Sequence, residues 1–199
     1  MWIGTSTGLY LLEKATGKYT YIQMPVESYY IYSLCQASDG MLYIGTNNAG
    51  LLVYDTTKNT FRHYHRDNCA LISNNIYTLL SDGKGNIFLS TEHGLSTFYP
   101  VEETFHNWTK EQGLKSDHFN AASGTLRKNG NFIFGSTDGA IEFNKDMILP
   151  RDYKFKMVFS DLRVFYQTVY PKDEGSPLIL DIDETKTLRL KYNQNIFSL

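Results

Sequence analysis

The 199-residue chain has little cysteine, proline or tryptophan, with two, five and two residues respectively. Cys35 and Cys69 are too few for a disulfide framework and do not have the spacing of metal ligands. Cys35 lies in an apolar run and reads as a buried thiol. No stretch approaches the roughly 20 apolar residues that a bilayer-spanning helix needs. The first twenty residues also lack a basic segment followed by an apolar one, which taken literally reads as cytoplasmic. An excess of either charge is missing too: 19 Lys and Arg against 21 Asp and Glu leave a formal charge of −2. That balance offers no attraction for nucleic acid or an anionic membrane surface, and neither is expected as a partner. No phosphate loop of the form G-x-x-x-x-G-K-[ST] occurs, no cofactor is implied, and neither a hydrolase nor any other enzyme is expected.

What the chain does have is 15 Tyr and 12 Phe among 42% apolar residues. Aromatic residues favour strands. They also recur. Trp2-Ile3-Gly4-Thr5 with Gly8-Leu9 returns as Tyr43-Ile44-Gly45-Thr46 with Gly50-Leu51, as Phe88-Leu89-Ser90-Thr91 with Gly94-Leu95, and as Ile133-Phe134-Gly135-Ser136 with Gly139-Ala140. The first glycine, or the serine replacing it, falls at 4, 45, 90 and 135. A period of that size decides architecture before any local reading does.

Turn clusters precede the aromatic strand in three units: Ser38-Asp39-Gly40, Asp82-Gly83-Lys84-Gly85-Asn86 and Lys128-Asn129-Gly130-Asn131. Each unit then holds four short strands, the length and content of a β-propeller blade. In the third unit they are predicted at 76–81, 87–91, 95–99 and 104–108, from innermost to outermost. The first unit starts at its second strand. The predicted fold is therefore all-β: about four blades of a partial propeller over 1–144, the first incomplete, and a linker at 145–153. A truncated β-sandwich follows over 154–199, with strands at 154–165, 178–182 and 188–192 and another beginning at 195–199. This organisation reads as a fragment of a longer protein, completed by further blades and the rest of the sandwich.

The (W/Y)IGT…GL pattern, with the Asp-Gly turn before it and the aromatic outer strand after it, resembles the two-component regulator propeller repeats of hybrid two-component sensors. The tail carries Phe159-Ser160-Asp161-Leu162-Arg163-Val164 and later Leu188-Arg189-Leu190-Lys191-Tyr192-Asn193-Gln194-Asn195-Ile196-Phe197-Ser198. It looks like the opening of the Tyr-Tyr-Tyr β-sandwich domain that follows those propellers. The resemblance implies a periplasmic, membrane-anchored sensor, homodimeric in its full-length form, that recognises oligosaccharides and controls a cytoplasmic histidine kinase and polysaccharide-utilisation genes. A propeller scaffold for protein partners, without a small-molecule ligand, is the competing expectation.

Blade topology narrows where a ligand could touch. Loops from outer strand to next inner strand, and from second to third strand, open on one face. That face carries Tyr29, Tyr30, Asn47, Asn48, Ser73 to Asn75, Glu92, His93, Asp117, His118, Thr137 and Asp138. Sugars need apolar platforms and planar hydrogen-bonding partners. Tyr30, Asn48, Asn75, His93 and His118 are the candidate ligand-binding residues, although Asn and Asp also favour turns for backbone reasons alone. His63 and His65 share one side of an outer strand, but no third ligand is evident and no metal is expected. Glu102-Glu103 and Glu13-Lys14 fall in surface turns, and Asn107-Trp108-Thr109 matches a glycosylation acceptor by chance.

Overall fold

A computed structural model describes residues 1–26, 30–144 and 158–199. Chain contacts divide it into two compact units, Met1–Pro150 and Arg151–Leu199. The expected linker at 145–153 and the start of the expected strand at 154–165 lie outside the described residues.

The first unit is built of four antiparallel sheets in chain order. Strands β1 (Trp2–Thr5), β2 (Gly8–Leu12) and β3 (Tyr19–Ile22) form the first. Strands β4 (Ile31–Gln36), β5 (Leu42–Thr46), β6 (Leu51–Asp55) and β7 (Thr60–Tyr64) form the second, in that spatial order. The third repeats it with β8 (Ile76–Ser81), β9 (Ile87–Thr91), β10 (Gly94–Tyr99) and β11 (Thr104–Trp108). The fourth has β12 (Phe119–Leu126), β13 (Asn131–Ser136) and β14 (Gly139–Asn144) among the described residues. One 3₁₀ turn, Lys110–Gln112, interrupts the strands among the described residues. Edge strands β4, β8 and β12 adjoin one another in sequence, so the sheets radiate as blades from a common inner side. The first blade lacks an inner strand, and β1 adjoins β4 directly.

Alternation along each strand explains why the middle blades hold. In β5, Leu42 and Ile44 pack toward the first blade with Leu9, Leu52 and Tyr54. Tyr43 points the other way, into a cluster with Leu51, Val53, Ile76, Leu79 and Phe98. Both faces of β5 and β9 are consequently buried throughout. The third and fourth blades meet through a phenylalanine-rich core of Phe88, Phe119, Phe132, Phe134 and Phe143. At roughly 1.5–3 kcal/mol for each large side chain removed from water, these inter-blade layers are the main source of cohesion.

The repeated Gly-Thr…Gly pattern has a geometric cause. The hydroxyl after the first glycine donates to the carbonyl of the second: Thr5 to Gly8 at 2.9 Å, Thr46 to Gly50 at 2.7 Å, Thr91 to Gly94 at 2.9 Å and Ser136 to Gly139 at 2.7 Å. The second glycine has positive φ, +76° at Gly50, and a Cβ there would overlap the Tyr64 carbonyl. At Gly45 a Cβ would sit 2.8 Å from Ile76 Cγ2 on the next blade. Ser90, the serine in the glycine position, is fully buried, and its hydroxyl has no hydrogen-bond partner among the described residues. The inner strand of the following blade differs as well: β12 bulges between Phe119 and Gly124 and opens on Phe119, where β8 opens on Ile76.

The second unit carries one small sheet in the order β16 (Gln167–Thr168), β15 (Arg163–Val164), β17 (Phe197–Ser198). Its core joins Leu162, Val164 and Leu178 with Val169, Ile182, Leu188 and Leu190. The strands predicted at 178–182 and 188–192 are not formed. Local turns take their backbone groups instead. Thr185 donates to the carbonyls of Leu180 and Asp181, and Lys191 N–H donates to the Gln194 side chain while Gln194 N–H donates back to Lys191. Of the strand predicted over 154–165, only Arg163–Val164 is extended and paired among the described residues.

Candidate functional site

Antiparallel blades send alternate turns to opposite ends. One end collects the β4–β5, β8–β9 and β12–β13 hairpins. These are repeats of one device: Asp39 Oδ1 accepts from Met41 N–H, Asp82 Oδ1 from Lys84 and Asn86 N–H, and Asn129 Oδ1 from Asn131 N–H. The other end collects the candidate residues. Here equivalent positions differ. The residue before each inner strand is Tyr30, then Asn75, then His118, and each touches the preceding or following blade differently.

Tyr30 is 54% exposed, and its carbonyl accepts from Asn47 N–H at 2.8 Å. Asn48 takes a left-handed conformation with φ +68°, and its N–H donates to Asn75 Oδ1 at 2.7 Å across the blade boundary. Asn75 N–H donates to Ser73 Oγ, and the Ser73 hydroxyl donates to Glu92 Oε1 at 3.1 Å. Glu92 Oε1 in turn lies 3.5 Å from His93 Nε2. The His118 ring reaches the Glu92 carbonyl through Nδ1 at 2.9 Å, and the rings of His93 and His118 are 6.5 Å apart. Asn48 with Asn75 and His93 with His118 thus form two pairs joined through Ser73 and Glu92, and Tyr30 adjoins the first pair only through its carbonyl's bond to Asn47 N–H. Tyr29 lies outside the described residues.

Several neighbours on this face are committed to the backbone. Asn74 Oδ1 accepts from Arg66 N–H, and Asp117 Oδ1 accepts from Lys110 N–H one blade later. Thr137 N–H donates to the His118 carbonyl, and Asp138 N–H to Ser136 Oγ. Asn75 spends its Oδ1 on Asn48, and its amide nitrogen makes no hydrogen bond among the described residues.

Two residues that sequence reasoning passed over belong with the group. Tyr32 and Tyr77 are the extra residues of one-residue bulges, between Ile31 and Ser33 and between Ile76 and Thr78. Their rings meet edge-on at 5.6 Å, and Tyr30 stacks on Tyr32 at 6.5 Å. Burial pushes the Tyr77 phenol above its ordinary pKa, with the Glu92 charge and Tyr32 adding to the rise. The shared 45-residue offset of Tyr32 and Tyr77 is visible in the aligned repeats, but it does not reveal the bulge that turns them inward.

Elsewhere the candidate chemistry is occupied. His63 and His65 lie side by side, with ring centroids 4.8 Å apart and planes tilted by 44°, but His63 Nε2 bonds the Ala49 carbonyl at 2.6 Å. No group of three potential metal ligands occurs among the described residues. Gly4-Thr5-Ser6-Thr7-Gly8 has the G-x-S-x-G spacing of a hydrolase nucleophile elbow. It forms the β1–β2 hairpin, with no helix after it and Ser6 exposed. Asn107 of the glycosylation match accepts from Ser96 and donates to the Ala70 carbonyl. Cys35 and Cys69 are half-buried free thiols, and burial raises the pKa of each. The Glu103 turn is paired with Arg62 of the preceding blade. Two half-open concavities lie away from the tyrosine face. One of about 320 Å³ lies between Trp108, Leu114 and Phe143, and one of about 350 Å³ lies in the second unit beside Leu162, Tyr170 and Asp181.

Comparison with known proteins agrees with the repeat. The family model for the two component regulator propeller matches residues 25–48. Histidine kinase P4 of Formosa agariphila is 24% identical over 209 residues, covering 100% of this chain and 15% of the kinase. The extracellular domain of the hybrid two component system BT3049 from B. thetaiotaomicron superposes with a TM-score of 0.58 at 25% identity, over 73% of this chain and 19% of that one. The extracellular domain of BT4673 from the same organism, at 18% identity and a TM-score of 0.54, covers 98% of this chain and 25% of its own and shows likeness of fold alone. The chain therefore spans 15% of the curated relative and between 19% and 25% of these solved domains. Both solved domains are extracellular domains of hybrid two component systems.

Proposed function

We propose that this chain, which carries two-component regulator propeller repeats, is part of the periplasmic ligand-sensing region of a longer hybrid histidine kinase, and that its tyrosine-rich blade face binds an oligosaccharide. The observation that carries the reading is the linkage of Asn48, Asn75, His93 and His118 through Ser73 and Glu92, with Tyr30 held beside Asn48 by the Asn47 N–H, on one surface spanning three blades. Aromatic rings, a free amide nitrogen, a carboxylate and imidazoles are the groups that sugars require. The second unit, read as the beginning of a Tyr-Tyr-Tyr-like sandwich, would carry the change onward. Signalling demands that the sugar prefer one of two ectodomain arrangements, because affinity alone shifts no equilibrium. Dimeric association and control of polysaccharide-utilisation genes belong to the longer protein in this reading.

Glycan-array screening followed by calorimetry on this chain tests it. The Tyr30→Ala/His93→Ala double variant should lose about 1–3 kcal/mol of binding free energy with a nearly unchanged melting temperature, since both side chains are largely exposed. Absence of oligosaccharide binding, together with specific capture of a protein partner on the same face, would favour the interaction scaffold instead.

A further inference from the structure

Three tyrosine rings follow one another across two blades, and the last of them lies beside a carboxylate. Tyr30, exposed, lies parallel to Tyr32 with an interplanar angle of 21°. Tyr32, lifted from β4 by its bulge, meets Tyr77 of the next blade at 69°. Glu92, on the β9–β10 hairpin, is oriented by the Ser73 hydroxyl and directly follows Thr91, the partner of Ile76 in the ladder, so the register sets it beside the Tyr77 bulge, and its charge adds to the rise in the Tyr77 pKa. Glu92 Oε1 lies 3.5 Å from His93 Nε2, and no lysine or arginine is paired with it among the described residues. The inward turn of Tyr32 and Tyr77 costs each blade a ladder irregularity, yet Tyr32 is in none of the hydrophobic core clusters.

The electrostatics of these groups have one sign. Aromatic faces carry negative potential and accept C–H faces or cations. A carboxylate accepts hydrogens from hydroxyl or ammonium groups and repels another carboxylate or a sulfate. We infer that Tyr30, Tyr32, Tyr77 and Glu92 form a subsite for a neutral or amino-sugar residue that excludes uronates and sulfated sugars. This rests on the oligosaccharide reading above and adds to it the chemical class of ligand.

The test is an array of neutral, amino, uronate and sulfated oligosaccharides probed with the whole chain, then calorimetry on the strongest binder and on its uronate counterpart. The strongest binder should be neutral or amino-bearing, and Tyr32→Ala should weaken it by about tenfold. Glu92→Gln has the same shape and still accepts the Ser73 hydroxyl. It should strengthen binding of the uronate counterpart by about fivefold or more. Wild-type chain that retains uronate or sulfated glycans, with affinity lowered by Tyr32→Ala, would overturn the assignment of ligand class. Neutral binding indifferent to both substitutions would place the sugar elsewhere, overturning this subsite while leaving oligosaccharide sensing intact. No binding across the array would remove the sensing reading, and this inference with it.

Discussion

The two ends of the blades differ in what they repeat. At one end Asp39, Asp82 and Asn129 perform the same turn-closing task in successive blades. At the other, Tyr30, Asn75 and His118 occupy one structural position with three unlike side chains. A position that a fold needs for closure is constrained alike in every repeat. A position free of that duty can diverge, and its divergence points to recognition. Even on the divergent end the hairpin glycines and their hydroxyl partners stay constant, so the contrast separates positions and not merely faces.

Gly50→Ala should have the largest effect. It combines a left-handed backbone with overlap on the Tyr64 carbonyl, and about 3 kcal/mol or more of stability should be lost. Denaturant unfolding measures this directly, and an unchanged midpoint would remove the claim that repeating positions are structural. Alkaline titration probes the turn end next. The Tyr43 ring is buried, and its hydroxyl donates to Asp39 Oδ2 at 2.7 Å. Burial first, and then the bond and charge of Asp39, push its pKa well above the ordinary value. A raised pKa means the fold favours the neutral phenol. Its contribution is therefore complete below the unfolded pKa of about 10 and declines as pH rises beyond that. Melting temperatures should fall above about pH 10, and less steeply in Tyr43→Phe. The smallest effect is expected from Asp82→Ala, which frees three donors in an exposed turn and should cost about 1 kcal/mol. Sugar binding in that variant should match the wild type; a loss would show that the two ends are coupled.

Much of this was legible in the sequence because the repeat is enforced by local geometry. Gly50 and Gly94 recur because β-carbons there would strike the Tyr64 and Trp108 carbonyls, and Thr46 and Thr91 recur because their hydroxyls close the hairpins. Ser90 broke the pattern without breaking the blade. The failures share a cause. Leu178–Ile182 and Leu188–Tyr192 have strand-forming composition, yet composition says nothing about whether a partner strand is available, and turns claimed their backbones. Tyr32 and Tyr77 escaped notice because a bulge, set by pairing with β5 and β9, decides where they point. The candidate face follows from blade topology, whereas the hydrogen bonds through Ser73 and Glu92 depend on side-chain placement that no repeat pattern encodes.

Amide chemical-shift mapping of the whole chain, titrated with the oligosaccharide that binds most tightly on the array, tests the separation of the two ends most directly. Shifts should concentrate at Tyr30, Tyr32, Asn48, Asn75, Tyr77, Glu92, His93 and His118, and the turns at Asp39–Gly40, Asp82–Gly85 and Asn129–Gly130 should stay silent. Shifts centred on those turns, or confined to Arg151–Leu199, would contradict it.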